Sequence, residues 1–214
     1  MLSSTSRTRL AIALAAMFAV QSAVRAAEVI DRILAVVSGE LIMLSDARAA
    51  TRFGLIDVPA DTDDPVRAAM NALVDRHLQL LEVNRYLPPE PPAAAIDEQF
   101  AAIRAKFQTD DAFRAALAEC GISEAQLRAR VRDNLRITSY RAQRFAAALQ
   151  PSDEDLLRYY RSRESEFTKD GTPLPFAQVR EQVRERLAAE RSQSLIREWL
   201  ETLRRRADVQ ILYQ

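Results

Sequence analysis

A catalytic or metal-binding centre in this chain would have to be built around its single histidine, its single cysteine or its clustered carboxylates. His77 stands in an apolar series, Val66, Met70, Leu73, Val74, Leu80 and Leu81, that recurs at helical spacing, so it shares a face with core residues. A lone histidine there lacks the further ligands that zinc demands and the paired nucleophile and base of a hydrolytic triad. Cys120 precedes Gly121 at an expected helix end, where a buried, unreactive thiol is the ordinary outcome. The acids within residues 61–64 and 153–155 fall in a loop and at a helix start, where carboxylates serve solubility and the helix dipole. Arg204, Arg205 and Arg206 end the last helix and complement its dipole in the same way. Phosphate-binding glycine loops, nucleophile elbows and calcium loops are absent from the sequence. No catalytic residue, cofactor or metal is expected.

Aromatic side chains are the remaining means of recognition. Most lie on helical apolar stripes and belong to a core. Phe53, Phe107, Tyr140 and Tyr160 are the candidates for contact with a bound peptide, should the fold leave them exposed.

These residues are positioned by a chain that reads as mainly helical. Residues 30–37 and 40–43 are two short strands about the tight turn Ser38-Gly39. Ser45 then caps a helix that runs to Phe53 and stops at Gly54. Pro65 opens a helix that ends at Pro88-Pro89, and a second pair, Pro91-Pro92, leads into one carrying Ile96, Phe100, Ile103 and Phe107 on one face. A shorter helix from Thr109 presents Phe113 and Leu117 and is capped by Gly121. Ser123 with Gln126, and Ser152 with Asp155, are capping boxes that launch two further helices. After the break at residues 169–175, a helix of about 30 residues with Val179, Val183, Leu187, Trp199 and Leu203 inward leads to a final strand over residues 209–213. That strand is expected to pair with the first, so that two or three short strands tie the chain's two ends together.

The start of the chain reads as a secretory signal peptide. Arg7 and Arg9 precede an apolar core at residues 10–20, too short to cross a bilayer that needs roughly 20 such residues, and Val24-Arg25-Ala26 offers small residues before a cut at Ala27. Residues 1–26 are the expected signal, export to the periplasm follows, and no stable membrane insertion outlasts cleavage. The 188 residues beyond it carry 27 basic and 30 acidic side chains, a net charge of −3 that points away from nucleic acid. One cysteine rules out an internal disulfide framework, so stability comes from packing.

The order of these elements resembles the N-terminal chaperone domain of SurA-type periplasmic chaperones, a module related to the substrate-binding region of trigger factor. The resemblance is carried by the opening residues 29–42 (VIDRILAVVSGELI) with Ser45-Asp46, by Ala72-Leu73-Val74-Asp75 with Leu78, and by Phe113 to Leu117 followed by Gly121-Ile122-Ser123. It continues in Trp199-Leu200-Glu201-Thr202-Leu203-Arg204 and Ala207-Asp208-Val209-Gln210-Ile211, and spans residues 28–213. It implies a helical chaperone domain over residues 27–214 that holds unfolded exported or outer-membrane polypeptides without ATP. Its long helices also offer a route to a homodimer by helix exchange. Family members commonly insert parvulin prolyl isomerase domains where this chain has only residues 168–175, too few for even the smallest autonomous fold. The chain is therefore expected not to be an enzyme, and a prolyl isomerase only by family association. A dedicated assembly or adaptor module of an envelope export system is the alternative.

Overall fold

The computed structural model describes residues 31–169 and 171–214. The expected signal peptide and the expected cut between Ala26 and Ala27 lie outside them. The elements run β1 (Ile33–Val37), β2 (Glu40–Met43), α1 (Leu44–Arg52), α2 (Pro65–Tyr86), α3 (Ala93–Arg104), α4 (Asp110–Glu119), α5 (Glu124–Phe145) and α6 (Asp153–Ser162). A single 3-10 turn (Glu164–Glu166), β3 (Thr168–Lys169), β4 (Thr172–Pro173), α7 (Phe176–Arg206) and β5 (Val209–Ile211) complete the chain. The architecture is mainly helical with a few short strands.

The helix starts follow the local chemistry. Ser123 Oγ accepts from the Gln126 N–H at 3.2 Å while the Gln126 side chain accepts from the Ser123 N–H at 2.8 Å. Ser152 and Asp155 repeat this at 3.2 and 3.3 Å. Asp64 caps α2 by accepting from the Arg67 N–H at 2.9 Å, ahead of Pro65, whose missing N–H costs nothing in a first turn. At α1 the expectation fails: Ser45 lies inside the first turn, and Asp46 caps it by accepting from the Met43 N–H at 3.1 Å. The hairpin arm runs straight into the helix, so that Met43, the last residue of β2, takes the N-cap position.

Ser38 and Gly39 turn the first hairpin with φ of 52° and 88°, the left-handed pair that matches strand twist. β1 is the central strand of the order β2-β1-β5, antiparallel to both neighbours. The final strand pairs with the first as expected, Val37 opposite Val209 and Ala35 opposite Ile211. The break at residues 169–175 contains a further short ladder, Thr168 opposite Pro173 and Lys169 opposite Thr172, that its Gly and Pro content concealed.

Three apolar clusters fill the fold. One joins the sheet to α2 and to the C-terminal halves of α5 and α7 through Leu34, Val37, Met70, Val74, Tyr140 and Trp199. A second joins α1, α3, α4 and the start of α5 around Phe53, Phe100, Phe113 and Leu127. A third lies between α6 and the first half of α7, with Leu156, Phe167, Val179 and Val183. The 31-residue α7, about 46 Å long, serves two of them, and no residue between Leu187 and Trp199 is buried.

Removing residues 208–214 strips β5 from β1 and takes away Tyr213, whose hydroxyl donates to Asp64 at 3.2 Å. A loss of about 2–4 kcal/mol is expected from partly buried apolar surface and a short ladder. An unchanged urea midpoint would show that the tail adds nothing. Leu156→Ala should cost about 2–5 kcal/mol locally. Hydrogen exchange should then accelerate at α6 and the first half of α7 while β1 amides keep their protection, and a uniform acceleration would show that this cluster unfolds together with the other two.

Candidate functional site

The four aromatics singled out from the sequence are structural. Phe53 is fully buried and meets Phe107 and Phe113 at ring-centroid distances of 5.7 and 6.1 Å. Phe107 is half-buried beneath the Arg52 guanidinium, 5.3 Å from its ring centre. Tyr140 is buried between Tyr86 and Trp199, at 5.7 and 5.8 Å. Tyr160 is buried against Phe167 and Phe176, its hydroxyl donating to the Leu174 carbonyl at 2.7 Å. The expectation of exposed rings is corrected by their energetics: such large apolar surfaces are what three small clusters need to hold together. The exposed apolar side chains are others, among them Leu41 at 53%, Tyr86 at 60% and Leu87 at 75%. Tyr86 and Leu87 end α2, where a helical stripe no longer says which way a side chain faces.

A shallow apolar groove of about 440 Å³ opens instead between α1, the start of α2 and the end of α4. Leu44, Ala47, Val66 and Ala69 line it, with Pro65 and Cys120 beside them, and Arg48, Arg52 and Glu119 supply charge at its margin. Small residues shape it: Ala47 and Ala69 are buried where α1 and α2 approach, and longer side chains would fill the space. Gly54, at φ 63°, lets the chain reverse after α1. The Cys120 thiol is raised above its ordinary pKa by burial first and by Glu119 second, so it stays protonated and is no nucleophile.

A smaller cavity of about 170 Å³ lies behind β2, walled by Leu41, Ile42, Leu55 and Leu73 and by Asp46, Arg76, His77 and Arg130. Arg130 pairs with Asp46 at 2.7 Å. Arg76 donates to Asn134 Oδ1 at 2.6 Å and to the Arg130 carbonyl at 3.1 Å. His77 is half-buried and its Nε2 has no hydrogen-bond partner. Burial, opposed by Glu40, holds its pKa below the ordinary histidine value. Two of the acids noted from the sequence act structurally: Asp64 and Asp155 cap helices, and Asp155 also pairs with Arg191 at 2.9 Å. Arg204 reaches across to Asp75 at 2.6 Å. Among the described residues no three His, Cys, Asp or Glu side chains are grouped to hold a metal ion, and no helix is long and apolar enough to cross a membrane.

No protein-family model and no curated protein matches this chain. The described residues thus offer an apolar groove with a charged margin, and a smaller cavity walled in part by half-buried arginines and Asp46.

The sign of the His77 effect follows from its lowered pKa. Between its folded value and the unfolded ~6.5 the unfolded chain binds more protons, so stability is full above pH 6.5 and is lost as pH falls through that window. The melting temperature should drop more between pH 7 and pH 5 in the native protein than in His77→Gln. Parallel curves for the two would show that His77 titrates alike in both states.

Proposed function

We propose that the chain is an ATP-independent periplasmic holdase of the SurA type that transiently covers apolar segments of unfolded exported or outer-membrane proteins. The groove between α1, α2 and α4 carries this reading. Its lining is apolar, its residues are small and its margin holds both signs of charge, a combination that accepts many side chains weakly and selects few. The order of elements supports it too: a strand-turn-strand opening, a run of helices and a last strand returning to the first. With residues 168–175 occupied by a small hairpin, prolyl isomerisation has no domain to carry it in this reading.

A dedicated assembly or adaptor module is the second reading. It is favoured by the compactness of the groove, since about 440 Å³ holds a few side chains and not a long segment.

Light scattering of an unfolded outer-membrane protein, diluted from denaturant with and without the mature chain, tests both. The native protein should slow aggregation at a few-fold molar excess. Val66→Glu, which places a charge in the groove at a half-buried position, should reduce the protection at least ~5-fold with an unchanged circular dichroism spectrum. Folded protein without effect on scattering would turn the assignment to the dedicated partner, and isomerase activity that persists through purification would overturn the account of residues 168–175.

A further inference from the structure

The cavity behind β2 sets the chain's single histidine against a wall that is weakly held. β2 is an edge strand of four residues, in the order β2-β1-β5, and its Glu40 and Leu41 are exposed. It runs into α1 without an intervening residue, so Leu44 and Ala47, which line the apolar groove, follow any movement it makes. The facing wall is firm: His77 and Leu73 belong to α2, which Met70, Val74 and Leu78 fix in the core under the sheet.

A neutral imidazole carries one N–H and an imidazolium two, so the cation always has a donor at Nε2. In this fold Nε2 is buried and has no hydrogen-bond partner. A charged N–H there is sealed from water and unpaired, a far less favourable arrangement than the neutral ring. The surrounding charges do not offset it. Glu40 on β2 attracts the cation and Arg76 on α2 repels it. Asp46 on α1 is committed to Arg130 of α5 at 2.7 Å, and Arg76 is held by Asn134 and Asp133 of α5 at 2.6 and 3.8 Å. β1 contributes only apolar residues. Arg204 of α7 meets Asp75, which lies about 200° around α2 from His77. The ring therefore takes up a proton when a wall opens to water, and the wall that yields is the short edge strand. We propose that His77 is a proton-operated latch, which when charged releases β2 and the first turn of α1 from α2 and so opens one side of the apolar groove. The device does not depend on what occupies that groove.

The test uses the untagged mature chain, in which His77 is the only histidine. Two quantities are followed from pH 7 to pH 5: the His77 Cε1–H resonance, and amide exchange at residues 38–52 divided by the intrinsic rate. Exchange there should accelerate several-fold while the resonance still holds its neutral position, and the amides of α5 and α6 should keep their rates. One histidine that titrates at ~6.5 when open and not at all when closed sets a ceiling of roughly 25-fold over this range. His77→Gln should remove the acceleration. Glu40→Gln, at an exposed position, removes the attraction that helps the closed fold tolerate the charge, and should bring the response nearer the ceiling. A resonance that titrates with no change in exchange would show that the closed fold accepts the imidazolium and would overturn the latch. An acceleration of equal size in His77→Gln, one spread evenly over all the helices, or an equal or weaker response in Glu40→Gln would overturn it as well.

Discussion

The fold depends on β1 being shared. Among the described residues a strand of five residues is the only bridge between β2, which follows it directly in the sequence, and β5, which follows the last helix. Leu34, Ala35 and Val37 are wholly buried in consequence, and α2 packs against them. Closing the sheet brings together residues more than 170 positions apart, a pairing with a large loop entropy. The helices packed under the sheet, α2 and the last turns of α7, hold the two ends beside each other in the folded chain.

α7 distributes what the sheet closes. Its C-terminal turns deliver Trp199 and Leu203 to the cluster under the sheet, while Val179 and Val183 belong to another core with α6. Ion pairs, not apolar contacts, reinforce α6 on α7 from outside: Arg191 with Asp155, Arg180 with Asp153, and Glu190 with Arg163 at 2.7 Å. Such exposed pairs add little stability each and are screened by salt. The satellite core therefore rests mainly on its few buried side chains.

The helices were legible because their starts are written locally. Ser123 and Ser152 act on residues three positions away, and the apolar series of α2 and α7 repeat often enough to fix a face. The pairing of β1 with β5 was also readable, since two short apolar strands at the ends of a helical chain each need a partner. The groove was not. Ala47 and Ala69 make space only because α1 and α2 approach there, and nothing in the order of residues says which two small side chains will meet. The aromatics misled for a related reason: residue type identifies a ring as adhesive but leaves open whether its neighbours or solvent will cover it.

The end of α2 joins two features that are separately unfavourable. Leu87 adopts φ 44°, a left-handed conformation that a side chain resists, and it is strongly exposed beside the exposed Tyr86. Four prolines follow within five residues, leaving Glu90 as the one residue from 88 to 92 with a backbone N–H to offer. A sticky surface flanked by such backbone cannot recruit a neighbouring molecule as an added strand, because the donors that would zip the two together are missing. Any contact made at this corner is left to side chains, because the covalent structure of residues 88–92 withholds the backbone donors of a ladder.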